Sequence, residues 1–152
     1  MKKKCKRKVY PLLNSLAHAI AGAAVADSKS LDKLRISELS AIDAMTKGMG
    51  TAEDWRWIAD VCNIAETMGK AGIGPEVLPY CDEAQKALLE AADRYQKTGK
   101  MGLSGLGITK IKDLWAYHDL QRTSIARSEY ERMIQKTINY IQSKGKDVVE
   151  IV

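Results

Sequence analysis

Two neighbouring stretches constrain the fold of this chain more than any others. From Trp55 to Met68 the residues Trp55, Ile58, Ala59, Cys62, Ala65 and Met68 recur at intervals of three and four. From Val77 to Tyr95 the series Val77, Cys81, Ala84, Leu88, Ala91 and Tyr95 does the same. That spacing places each set on one face of an α-helix. Gly72-Ile73-Gly74-Pro75 separates them. Gly72 closes the first helix, and Pro75 opens the second where its missing N–H costs nothing. Ala84, Ala87, Ala91 and Ala92 are small enough to admit a close neighbour. The pattern predicts an antiparallel helical hairpin.

The rest of the chain reads in the same period. Pro11 to Ala26 carries Leu13, Leu16, Ala17, Ile20 and Ala24 on one face, and Leu31 to Gly48 carries Leu31, Leu34, Leu39, Ile42 and Met45. Thr51 stands three residues before Asp54, a relative of the capping box, with Glu53 and Asp54 at the positive end of the helix dipole. Thr98 to Gly107 holds four glycines in ten residues and reads as a loop, with Thr109 capping the helix that follows. Ser128 and Glu131 suggest a second capping box and a break near Thr123 to Ser128. The last helix carries Tyr130, Met133, Ile134, Thr137, Ile138 and Ile141. Phe is absent and β-branched runs are rare, which favours helix over strand. The expected fold is all-α: a single compact bundle of five to six helices over 11–146, a disordered basic tail over 1–10 and a C-terminal tail over 147–152.

The formal charge of +5 is unevenly placed. Lys2, Lys3, Lys4, Lys6, Arg7 and Lys8 fall within the first eight positions, leaving 18 basic and 19 acidic residues, a charge of −1, for the remainder. Such a tail suits non-specific contact with nucleic acid or another polyanion. The hairpin is no helix-turn-helix. Its second helix opens with Glu76, Asp82 and Glu83 and has no base before Lys86, the wrong sign for a phosphate backbone. No segment is long and apolar enough to suggest a membrane span, and a cytoplasmic protein is expected. The alternative is secretion, with residues 1–26 as a signal peptide: a charged start, an apolar run, and Ala24-Val25-Ala26 as the cleavage site.

Little in the chain suggests catalysis, a metal or a cofactor. Phosphate-binding, hydrolase-elbow and zinc-protease motifs are missing from the sequence. Cys5, Cys62 and Cys81 lack ligand spacing, and the last two read as buried thiols, with one bridge between them left open. His118 beside Asp119 is the one pair suited to acid–base chemistry. The plainer reading buries His118 in a polar network with Asn63, Glu66, Asp119 and Gln121, where the helices bearing them meet. Trp57 lies two residues from Trp55 and cannot share its face. It is a candidate partner contact, or else it packs beneath the N-terminal helix.

Gly50-Thr51-Ala52-Glu53-Asp54-Trp55, Asn63-Ile64-Ala65-Glu66, Gly72-Ile73-Gly74-Pro75-Glu76 and His118-Asp119-Leu120-Gln121 stand in this order after a basic start and an Ala-rich, His-containing segment. In this the chain resembles small proteins encoded by tailed phages and prophages of proteobacteria. The resemblance implies a cytoplasmic protein in a phage setting and carries over no catalytic or binding residue. By analogy, the expected role is a non-catalytic one: binding a host protein or complex, with inhibition of host defence among the options. The alternatives are a nucleic-acid-associated protein that uses the tail and a small enzyme centred on His118.

Overall fold

A computed structural model describes residues 28–144. The basic residues Lys2 to Lys8, the helix expected over Pro11 to Ala26, and the 147–152 tail lie outside the described residues. Within them the chain is all-α, with five helices: α1 (Ser28–Thr46), α2 (Ala52–Lys70), α3 (Leu78–Thr98), α4 (Gly105–Thr123) and α5 (Arg127–Lys144). A single 3₁₀ turn, Pro75–Val77, leads into α3. The only β-type pairing among the described residues is an isolated bridge between Gly50 and Met101.

The centre of the bundle is α2, which packs against each of the other four helices. Its start follows from sequence: the Thr51 hydroxyl accepts the Asp54 N–H at 3.2 Å, and the Asp54 carboxylate accepts the Thr51 N–H at 2.8 Å. This reciprocal box satisfies two donors that a helix N-terminus otherwise leaves open. The hairpin with α3 is antiparallel. Cys62 faces Cys81, each thiol directed at the other's carbonyl, while Trp55 Nε1–H donates to the Leu88 carbonyl at 2.9 Å. Cys62 and Cys81 are both buried and form no disulfide with each other. The main core joins these two helices to Ile42 and Met45 of α1 and to Ile111 and Leu114 of α4. A smaller core, Ile64, Met68, Tyr130, Met133 and Ile134, seats α5 on α2.

Three sequence expectations need correction. The glycine-rich loop is shorter than expected, running over 99–104, and α4 starts within the stretch at Gly105. Ser104, and not Thr109, is the N-cap, its hydroxyl accepting the Gly107 N–H at 3.1 Å. Glycine is required just upstream: a Cβ at Gly102 would stand 2.9 Å from Gly48 Cα, where the ends of α1 and α4 cross. The break before α5 falls at Ser124 to Ala126, near its expected place, but Ser128 lies inside the helix and Glu131 pairs with Arg127 at 3.2 Å. On α1, the buried stripe runs through Leu31, Leu34, Glu38, Ala41, Ile42 and Met45, while Leu39 is exposed.

Candidate functional site

Among the buried polar groups, His118, Gln121, Glu38 and Arg122 form two neighbouring clusters. In the first, Gln121 Nε2 donates to the main-chain carbonyls of Ala65 (3.2 Å) and Ile73 (2.8 Å). That fixes the amide, so its oxygen faces His118 Nδ1 at 3.1 Å. An oxygen can only accept, so the network assigns the proton to Nδ1. Nε2 then accepts the Tyr130 O–H at 3.2 Å. Burial raises the Tyr130 hydroxyl well above its ordinary range, while nearby Arg122 pulls the other way. It remains a phenol and a donor. His118 has no exposed surface and holds partners at both ring nitrogens. It is a buried strut joining α4 to α5.

The second cluster joins α1 to α4. Arg122 is fully buried and Glu38 is 1% exposed. They form a two-pronged ion pair at 2.7 and 3.0 Å, a geometry that matches the guanidinium fork to the carboxylate. Trp115 Nε1–H donates to the same carboxylate at 3.0 Å. Arg122 also donates to Asp119 at 2.9 Å, and Arg35 grips Asp119 at 2.9 and 3.0 Å. Burial lowers the Arg122 pKa, but the Glu38 charge and hydrogen bonds outweigh it and the guanidinium is held charged.

The expected network of Asn63, Glu66, His118, Asp119 and Gln121 is therefore not one unit. His118 and Gln121 belong together. Asp119 turns to the arginines, so it does not orient His118 for acid–base work. Glu66 accepts from Gln85 at 2.8 Å and pairs with Lys70 at 2.9 Å. Asn63 is buried on α2, its carbonyl accepting the Thr67 hydroxyl. Sequence reasoning missed Arg35, Glu38 and Arg122. Among the described residues, no group of three His, Cys, Asp or Glu is placed to hold a metal ion, and no helix is long and apolar enough to cross a membrane.

Asp119 makes the second cluster acid-sensitive. Burial raises its pKa, but the hydrogen bonds from Arg35 and Arg122 more than offset this and hold it below the usual carboxylate range. A depressed folded-state value adds stability above the unfolded value of about 3.9, and that stability is lost as the pH falls through the folded value. Asp119→Asn should cost about 2 kcal/mol at neutral pH, as for hydrogen bonds to charged groups. It should also flatten the decline in stability below about pH 4. Urea titrations at a series of pH values check both. An unchanged acid limb would show that Asp119 is not the group responsible.

At the surface, α1 and α4 run antiparallel. Arg35 meets Asp119 at one end, Glu38 meets Trp115 in the middle, and the Met45 carbonyl accepts the Leu103 N–H at the other. Large apolar side chains are exposed on both helices: Ile36 (64% exposed) and Leu39 on α1, and Leu120 (66%) on α4, while Leu106 and Tyr117 lie on the α3 side of α4, where Tyr117 stacks on Tyr80. Leu39 also borders a groove of about 260 Å³ with Ile42, Asp43, Thr46, Lys112 and Trp115. Trp57 sits deeper. It is half-buried against the main core and lines a gap of about 10 Å³, the size of one water, with Glu38, Ile42 and Trp115. No family model, curated protein or solved structure matches the chain.

Proposed function

We propose that the chain is a non-catalytic interaction protein that docks a host protein along the α1–α4 seam. The observation that carries this reading is exposed apolar surface beside a groove: Leu39 borders the groove between α1 and α4, with Ile36 one turn before it on α1 and Leu120 exposed on α4. Scattered apolar residues need no explanation, but apolar side chains at the edge of a groove are the surface a partner covers. The engagement of His118 at both nitrogens supports a structural role for the residue best suited to catalysis. In the phage or prophage setting that the sequence motifs suggest, the partner is a host protein or complex, and blocking a defence system is the role such docking serves.

The test is capture from phage-infected cells with the wild type and with Leu39→Asp/Leu120→Asp. Both side chains are exposed, so each change should alter stability by no more than about 0.5 kcal/mol. A buried hot-spot residue contributes about 2 kcal/mol or more to binding, roughly 30-fold in affinity. The variant should therefore lose the partner that the wild type enriches, as quantified by mass spectrometry. Equal recovery of that partner by both proteins would refute docking at the seam.

A further inference from the structure

The near-neutral charge of the chain beyond its tail conceals a local excess on α5. Arg132, Lys136, Tyr140 and Lys144 are spaced four residues apart and form one exposed ridge. Successive members are about 6 Å apart along the axis, and the ridge is about 18 Å long. Lys70, from the end of α2, joins it: its Nζ is 5.6 Å from the Tyr140 ring centroid, and Lys144 Nζ is 5.0 Å from it. The acids nearby are already occupied. Glu66 is taken by Gln85 and Lys70, and Glu129 by Arg132 at 2.6 Å. Among the described residues, Lys136 and Lys144 form no ion pair. A recess of about 90 Å³ opens between Thr67, Lys70, Lys136 and Tyr140. A wider one, of about 580 Å³, continues past Lys136 to Arg132 and Asn139.

We infer that this ridge binds single-stranded nucleic acid, the cations tracking the phosphates and Tyr140 stacking on a base. The charge selects a polyanion, since an extended phosphate chain meets cations in series along a helix. The tyrosine selects a single strand. Bases of a duplex are stacked inside it and out of reach of an exposed ring, whereas a single strand offers its bases to aromatic side chains. An anionic membrane fits less well, because the rest of the exposed face, Gln135, Asn139, Gln142 and Ser143, has nothing apolar to insert. This site is separate from the α1–α4 seam and stands or falls independently of it.

The experiment measures binding of the full-length chain to a fluorescein-labelled 12-nucleotide oligo(dT), a duplex of equal length and anionic vesicles, each over a range of salt. Tyr140→Ala should weaken oligo(dT) binding by about tenfold, within the ~1–3 kcal/mol that a stacked base contributes, and leave duplex binding unchanged. Lys136→Ala should lower the oligo(dT) salt slope by about 0.7, one phosphate contact on a single strand. Circular dichroism of both variants checks that these exposed substitutions leave the fold intact. Oligo(dT) affinity equal to wild type in both variants would overturn the inference and assign all binding to the N-terminal lysines. Equal losses on oligo(dT) and duplex with Tyr140→Ala would overturn the stacking role. Losses confined to vesicles would make the ridge a lipid surface.

Discussion

Arg122→Met should unfold at a far lower urea concentration than the wild type, a loss of about 3–5 kcal/mol. The side chain itself is replaced by one of similar length, so little of the cost is packing. The cost comes from Glu38, which would remain 1% exposed with no cation to balance it. A buried carboxylate in that position must stay charged without compensation or take up a proton, and either is expensive. Asp119 would keep Arg35 but lose its second arginine. The matching double substitution, Glu38→Leu with Arg122→Met, removes both charges together. Most of the lost stability should return, since well-packed apolar pairs often equal or exceed a buried ion pair. Unfolding followed by far-ultraviolet circular dichroism measures both. A single variant within about 1 kcal/mol of the wild type, the range of an exposed pair, would mean that Glu38 finds relief elsewhere.

The second large effect is at His118. His118→Ala should lower stability by about 3 kcal/mol, combining a cavity with two orphaned groups, the Tyr130 hydroxyl and the Gln121 amide oxygen. Gln121 should be held in place by its bonds to Ala65 and Ile73, which prevents the site from collapsing to repair itself. Tyr130→Phe, which removes the donor to Nε2 and leaves the ring, should cost about 1–2 kcal/mol. A His118→Ala protein with wild-type thermal stability and no biological effect would instead make His118 a working residue, and the non-catalytic reading would fail.

The α2–α3 hairpin was legible because its apolar residues keep the helical period and its turn uses glycine and proline where the backbone needs them. Misreading began where polar residues occupied core positions. On α1, Glu38 falls in step with Leu34 and Ala41, yet a glutamate suggests solvent, and the neighbouring Leu39 took its place in the stripe. On α4, Arg122 continues the face of Ile111, Leu114, His118 and Gln121, and its charge again hid it. The signal was present in both helices as polar residues in phase with the core. What one chain segment cannot supply is the pairing: Glu38 is acceptable inside only because Arg122 meets it from another helix. The start of α4 was obscured differently. Gly105 and Gly107 are poor helix formers, but Ser104 caps them, and a Cβ at Gly107 would stand 3.3 Å from that of Ala87 on α3. Close packing there favours glycine despite its helix propensity.

The sequence distance spanned by the buried ion pair has a kinetic consequence. Cys62 and Cys81 meet over 19 residues, whereas Glu38 and Arg122 meet over 84. Closing the longer loop costs roughly 1.3 kcal/mol more in chain entropy, which favours forming the hairpin before α1 is fastened to α4, an order that φ-value measurements would check. Contacts made after the rate-limiting step govern how fast a protein comes apart and hardly touch how fast it assembles. The α1–α4 seam is thus the latch on the lifetime of the native state. A partner bound across it would hold that latch shut, and the complex would unfold more slowly than the free protein, by up to the factor that the partner's affinity and concentration set.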